Sequence, residues 1–246
     1  GNDMQRYFVE SSNIINGYVY INGEDYHHIT KVMRMKIDDE IIVCDNQDSY
    51  LCKIIEINVE CVTSQIFKKL DEKKELPVNV TIAQGVVRRE KAEEVIDKIT
   101  QLGANKYLMV NMERCNVKLN DEKLNKKVDR MNKIAKEASE QSHRTRKLVV
   151  ENPIDFKNLL KLKNEYDLCL YAYEVIDKDE SLKNILKQKK YQNILILVGP
   201  EGGISLKEVE MLNSVGFIPI SLGPRILRTE VAPTYVMAAI SYELEI

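Results

Sequence analysis

The 246-residue sequence predicts a small β-barrel or sandwich followed by an α/β domain on a mainly parallel sheet. Three observations carry that reading. Short β-rich runs separated by turn residues fill the chain as far as Leu70. A polar stretch, KKLDEKKELP, ends at Pro77 and has the composition of a linker. Beyond it, apolar strand-like runs alternate with amphipathic helical ones, as strand–helix–strand units require. The expected division is therefore 1–74 and 75–246.

In order, RYFV, YVYI, EIIVC, YLCKIIEI and CVTSQIF read as strands, with Asn16-Gly17, Asn22-Gly23 and Asp45-Asn46 as turns. Asp25 to Met35 differs, placing His28, Ile29, Val32 and Met33 at helical spacing. After the linker, VNVTIAQ is a short apolar strand. Arg89 to Leu102 then sets Ala92, Val95, Ile96, Ile99 and Leu102 on one helical face, closed by Gly103. KYLMVN reads as a strand, and Leu124 to Ala138 as a helix with Leu124, Val128, Met131, Ala135 and Ala138 as its stripe. DLCLYAY and NILILVG are strands, Ser205 to Val215 a helix, FIPISLG a strand, and a last helix starts at about Glu230.

Composition narrows the function. A hydrophobic fraction of 44% suffices for packed cores, and no apolar run approaches the roughly 20 residues that span a bilayer. The first ten residues lack the basic start and greasy stretch of a secretory signal. Five cysteines form no C-x-x-C pair, and three histidines offer little for zinc. The expectation is reduced thiols, no metal and a cytoplasmic protein without a membrane segment. The net charge of −2 argues against a polyanion partner, but its distribution does not. Residues 1–75 carry 9 Lys/Arg against 14 Asp/Glu, residues 84–147 carry 16 against 10, and residues 148–246 carry 11 against 14. Positive charge is thus concentrated mid-chain, and local potential rather than net charge attracts a polyanion.

The sharpest local feature is NILILVGPEGGISLKEVEML. An apolar strand runs into Gly199-Pro200-Glu201-Gly202-Gly203, and Ser205 with Glu208 has the spacing of a helix capping box. Such a loop exposes backbone groups at the carboxyl end of a parallel strand, where open α/β sheets bind ligands. A phosphate-cradling loop needs a lysine after its second glycine, and a dinucleotide fold needs G-x-G-x-x-G; neither is present. Glu201 also opposes a bound phosphate, so an uncharged, base-bearing ligand fits better. A second Gly-Pro loop follows in ISLGPRILRTEVAP, where Gly223-Pro224, Arg225, Arg228, Thr229 and Glu230 precede the last helix. Two such loops after neighbouring strands can line one pocket; a tight turn and a helix-start ion pair are the plainer alternatives.

Together, GPEGG-x-S-x-x-E and LG-x-x-ILRTE resemble the second and third signature motifs of the SPOUT methyltransferases, whose chain forms a trefoil knot. The wording is similar to that of the RsmE family, which methylates N3 of a uridine in small-subunit (16S) ribosomal RNA. Arg6-Tyr7-Phe8-Val9, HHITKVMRM, MERCNV and EASEQSHRTRK extend the likeness over nearly the whole chain. Two departures are Met131, where the family often has Trp, and Lys147-Leu148-Val149, where it often has Pro.

The resemblance implies a PUA-like RNA-binding barrel, a knotted catalytic domain, a homodimer, and S-adenosylmethionine as cofactor. Carried over by motif, Leu197, Gly199, Gly202 and Gly203 from the first loop, and Leu222, Gly223, Ile226 and Leu227 from the second, would hold that cofactor. Methylating a uracil N3 requires loss of its proton and stabilisation of the anion. Arg228 is the candidate for the anion, Glu230 for the proton, and Arg114 a third participant. Arg6, Arg34, Arg144, Arg146 and Lys147 are candidate phosphate contacts, with Arg88 and Arg89 weaker ones, and Tyr7 and His143 could stack on a base. The implied partner is 16S ribosomal RNA or the small ribosomal subunit. A SPOUT enzyme acting on a ribose 2′-hydroxyl or another base, or a non-catalytic RNA-binding protein, remain open alternatives at this point.

Overall fold

A computed structural model describes residues 4–118, 124–174 and 181–246. The chain divides into two compact units. One comprises 1–75 with 139–147, the other 76–138 with 148–246.

The first unit is a six-stranded sheet. Its strands are β1 (Arg6–Phe8), β2 (Ile14–Ile15), β3 (Tyr18–Ile21), β4 (Glu40–Cys44), β5 (Ser49–Ile57) and β6 (Val62–Leu70), in the order β1-β4-β5-β6-β3-β2. Only β1 and β4 pair in parallel; the others are antiparallel. Register shifts at Leu51/Cys52 and Ile54/Glu56 bend the long β5–β6 ladder. Alternation then sends Ile41 and Val43, Cys52 and Ile54, and Val19 and Ile21 into one core, which Tyr7, Ile29 and Val62 complete.

The helical segment expected over 25–35 is instead α1 (Gly23–His27) followed by a π-helical turn at His28–Val32. Of its apolar residues Ile29 alone is buried, while Val32 and Met33 are exposed. The wider π turn breaks the 3.6-residue stripe, and Arg34 then turns the chain at φ +51°.

The second unit alternates as the sequence predicts. Its elements are β7 (Asn79–Gly85), α2 (Arg89–Gln101), β8 (Lys106–Asn111), α3 (Leu124–Gln141), β9 (Val149–Val150), β10 (Ile154–Asp155), α4 (Phe156–Lys161), β11 (Leu168–Ala172), α5 (Leu182–Gln188), β12 (Asn193–Val198), α6 (Leu206–Val215), β13 (Ile218–Ile220) and α7 (Ala232–Glu245). The sheet runs β10-β8-β7-β12-β11-β13, with β9 on β8, and every pairing is parallel. The middles of β7, β8, β11 and β12 are buried and mostly apolar because cores cover both faces. α2 buries Ala92, Val95, Ile96 and Ile99, and Gly103 stops it at φ +97°. Val128, Met131 and Ala135 fix α3 in the same core, and Asn132 bonds both backbone groups of Val150. The last turn of α3, from Ser139, belongs with the first unit.

Candidate functional site

The ligand-accepting features of the second unit gather at the carboxyl ends of β11, β12 and β13. A cleft of about 880 Å³ there is lined by residues 172–174, 198–204 and 222–230, with Lys91, Arg114 and Ala232. Both glycine loops singled out in the sequence therefore face one space.

The first loop has its shape because side chains are missing where other atoms pass. A Cβ on Gly202 would lie 2.7 Å from the Arg114 carbonyl oxygen, and one on Gly199 would lie 2.8 Å from Ile204 Cγ1. Gly203 turns the chain at φ +81°, and its N–H donates to the Pro200 carbonyl over 2.8 Å. Pro200 rests on Gly85 at the end of β7, where a Cβ would come within 2.5 Å of the Pro200 ring. Ser205 then starts α6 with the full capping box: the Glu208 N–H donates to Ser205 Oγ, and Glu208 Oε1 accepts from the Ser205 N–H. Glu208 Oε2 also accepts from the Glu113 N–H at 3.1 Å, so the same carboxylate secures the loop that carries Arg114.

The second loop turns at Gly223, φ +105°. Leu222 and Leu227 are half-buried, while Ile226 is 82% exposed although it lines the cleft. A buried polar chain joins the loops. The Thr229 hydroxyl donates to the Gly199 carbonyl at 2.9 Å, and Gln84 Nε2 donates to the Thr229 carbonyl at 2.6 Å and to its hydroxyl oxygen at 3.0 Å. Tyr107 donates to Gln84 Oε1 at 2.7 Å.

Charges of both signs line the cleft. Lys91, from the first turn of α2, hydrogen-bonds Glu201 and lies 3.7 Å from Glu230 Oε2. The bond to Glu201 raises the Lys91 pKa, and Lys91 in turn holds the Glu201 carboxyl below its ordinary value. Glu230 Oε2 is buried and has no hydrogen-bond partner. Arg228 is exposed on the cleft wall, and Arg114 reaches the Gly202 carbonyl at 3.5 Å.

Arg114, Arg228, Glu230, Gly199, Gly202, Gly203, Leu222, Gly223, Ile226 and Leu227 thus all border the cleft. Leu197 does not, which corrects the sequence expectation. Its side chain is fully buried in the core with Ala83, Leu108 and Leu195, and its neighbour Val198 lines the cleft instead. Sequence reasoning missed Lys91, Gln84 and Tyr107. The usable signal was Gln84, a long polar side chain near the end of a mostly apolar strand.

The expected phosphate contacts divide. Arg6 and Arg144 are corrections: both are buried, and each is committed to a carboxylate within the first unit. Arg6 forms a two-pronged pair with Glu72, at 2.8 and 2.9 Å, and Arg144 one with Glu75, at 2.7 and 3.0 Å. Burying a guanidinium is tolerable only with such a partner, which leaves it no fork for a phosphate. Tyr7 is likewise 1% exposed, its hydroxyl paired with His28 Nδ1, so it presents no face to a base. Arg34 is exposed, while Arg146, Lys147 and His143 are half-buried. The backbone N–H of Arg146 donates to Glu75 and that of Lys147 to Asn46, which fixes this stretch to the sheet unit. Of the weaker candidates Arg88 is exposed, and Arg89 pairs along its own helix with Glu93.

Comparison with known proteins gives this geometry a family. A family model described as an RNA methyltransferase domain matches residues 74–241, and one described as an RNA methyltransferase PUA domain matches 21–63. The ribosomal RNA small subunit methyltransferase E of Bacillus subtilis (strain 168) is 39% identical over 252 residues, covering 99% of this chain and 98% of that protein. Its counterpart from Buchnera aphidicola subsp. Schizaphis graminum is 32% identical over 96% of this chain and 92% of its own. Among solved structures, the ribosomal RNA small subunit methyltransferase E of Neisseria gonorrhoeae, bound to S-adenosyl methionine, superposes with a TM-score of 0.83 at 25% identity over 98% of each chain. The chain belongs to the ribosomal RNA small subunit methyltransferase E family of RNA methyltransferases, with the SPOUT-type α/β fold and an N-terminal PUA-like unit.

Proposed function

We propose that this protein transfers a methyl group from S-adenosylmethionine to N3 of a uridine in small-subunit (16S) ribosomal RNA. The observation that carries the reading is the single cleft formed by the two glycine loops at the carboxyl ends of β12 and β13. The lining fits the cofactor. Bare backbone at Gly199, Gly202, Gly203 and Gly223 can approach the edges of an adenosine, and Leu222, Ile226 and Leu227 can cover its base. Val198 replaces Leu197 in this set.

Bound S-adenosylmethionine supplies an electrophilic methyl group. The chain's own residues have to prepare the acceptor. A uracil N3 is unreactive while protonated, because its lone pair is engaged with the flanking carbonyls. We assign the proton to Glu230, whose Oε2 is buried, has no hydrogen-bond partner and lies 3.7 Å from Lys91. Arg228 offers a planar fork of donors on the cleft wall for the carbonyl oxygens of the uracil anion, and Arg114 stands beside the first loop.

On the first unit, exposed Arg34 and the tethered Arg146 and Lys147 would contact phosphates. α7 presents Tyr235, Ala238 and Tyr242 as an exposed stripe at helical spacing, with exposed Ile246 just beyond it, which suits the face of a homodimer. No helix of the described residues is long and apolar enough to cross a membrane, and a ribosomal RNA substrate would place the enzyme in the cytoplasm.

The test is methyl transfer to small-subunit RNA, with the modified atom identified by mass spectrometry. Arg228→Ala and Glu230→Gln should each lose on the order of a hundredfold in turnover while binding the cofactor normally. Near-normal turnover in both variants would overturn the residue roles. Wild-type protein that leaves uridine N3 unmethylated would overturn the reaction itself.

A further inference from the structure

β12 and β13 are not neighbours in the sheet, because β11 lies between them. No ladder hydrogen bond therefore holds their two loops in register, although both must be in place for one ligand. The side chains that span the gap come from behind the cleft. Gln84 sits in β7 opposite Val198, the last residue of β12, and is fully buried. Its amide reaches the second loop at Thr229, whose hydroxyl reaches the first at Gly199.

We propose that Gln84 and Thr229 are positioning residues that lock the two glycine loops together and thereby set the affinity for S-adenosylmethionine. The inference rests on the cofactor reading above and adds residues that do not themselves enter the reaction.

The order of donors makes the lock one-directional. Tyr107 donates to Gln84 Oε1, so the amide nitrogen must face Thr229 and give one proton to its carbonyl and one to its hydroxyl oxygen. The Thr229 hydroxyl proton then points at the Gly199 carbonyl. Turning the amide over would set its oxygen against the Thr229 carbonyl oxygen, which can only accept, and would turn Tyr107 from donor to acceptor. Complete burial pushes the Tyr107 hydroxyl well above its ordinary pKa, so it remains a donor throughout the physiological range. Each group has one role, and removing any one leaves a buried partner unmatched. The Lys91 bridge to Glu201 and Glu230 also spans the loops, but through a partly exposed and flexible side chain. The buried chain is the stiffer of the two.

Calorimetric titration with S-adenosylmethionine tests this on the whole chain. Thr229→Val keeps the shape and removes the hydroxyl; Thr229→Ser keeps the hydroxyl. The expected result is an affinity about tenfold or more weaker in Thr229→Val, with Thr229→Ser close to wild type. Tyr107→Phe, the mildest change and the fallback should Thr229→Val not fold, should weaken binding by about threefold or more. Leu159→Ala, a cavity in the opposite core of the same unit, serves as the stability control. Wild-type binding in Thr229→Val, or in Tyr107→Phe where that fallback is used, overturns the inference alone. So does an equal loss in Thr229→Ser, or the same loss in Leu159→Ala. Wild-type protein that does not bind the cofactor overturns the cofactor reading together with it.

Discussion

Replacing Gly85 with alanine tests whether the floor of the cleft is set by close backbone contact. Gly85 ends β7, and an added Cβ would fall 2.5 Å from Pro200 Cδ and 2.6 Å from Pro200 N. Carbon atoms rest at about 3.5 Å or more, so the first loop has to retreat by about 1 Å. Its ring and backbone nitrogen cannot swing aside as a flexible side chain would. Overpacking of this kind costs about 1–3 kcal/mol. Because Pro200 lies within the cleft lining, a retreat that relieves the strain also moves the ligand's wall, and the cost appears as roughly five- to hundredfold weaker cofactor binding. Gly17→Ala is the matched control. It has φ +82° and nothing within 4 Å of the new Cβ, so its penalty is backbone strain of about 1–2 kcal/mol in the other unit. Titration calorimetry and thermal unfolding on both variants separate the effects. Gly17→Ala should lose stability and keep affinity, whereas Gly85→Ala should lose affinity. Wild-type affinity in Gly85→Ala would refute the reasoning.

Two further outcomes follow from buried groups elsewhere. Burial opposes the charge of Glu72, but hydrogen bonds from Arg6 and Ser49 outweigh it and hold its carboxyl below the ordinary 4.5. A depressed folded value contributes stability above the unfolded pKa and loses it as pH falls through the folded one. Glu72→Gln should therefore melt lower at neutral pH, by about 2 kcal/mol because Arg6 is left buried and half-partnered, and the gap to wild type should close in acid; a gap that persists in acid would show the ionised carboxylate is not its source. Burial also pushes the thiols of Cys44 and Cys169 up to about 11 and that of Cys52 to about 12. Alkylation of the native protein at mildly alkaline pH, mapped by peptide mass, should mark half-buried Cys61 and spare those three until the fold is opened.

The sequence was most legible where a local rule is strong. The capping box at Ser205, the stop at Gly103, the stripes of α2 and α3 and the turns at Gly203 and Gly223 follow from interactions within a few residues. It was least legible where the decisive partner is distant. The stretch KKLDEKKELP has a linker's composition, yet its Glu72 and Glu75 are the counter-charges that let Arg6 and Arg144 be buried, and composition alone cannot distinguish a solvated carboxylate from one 2.8 Å from a guanidinium. Leu197 shows a different limit. After Asn193 the strand reads ILILV, apolar at every position, so it lacks the alternation that tells which residues face which side. Strand order was hidden for the same reason: β12 lies between β7 and β11, and nothing near residue 195 announces a neighbour from residues 79–85.

The charge arrangement of the cleft argues for the ligand class independently of the family. Loops that receive phosphates offer converging N–H groups and a free lysine, so that a polyanion replaces water with donors. Here the lysine is spent. Lys91 is engaged by Glu201 within the glycine loop and faces Glu230 across from it, leaving two carboxylates for one ammonium. A phosphate entering this space would have to break the Lys91 pair to gain that lysine. A sulfonium-bearing nucleoside needs no such lysine: the carboxylates of Glu201 and Glu230 favour its positive centre, and Leu222, Ile226 and Leu227 of the lining offer apolar cover for a base. Arg114 and Arg228, the remaining cations of the lining besides Arg225, can then meet the cofactor's carboxylate and the substrate's developing charge. A lining whose lysine is already paired suits a nucleoside ligand without phosphates better than a nucleotide.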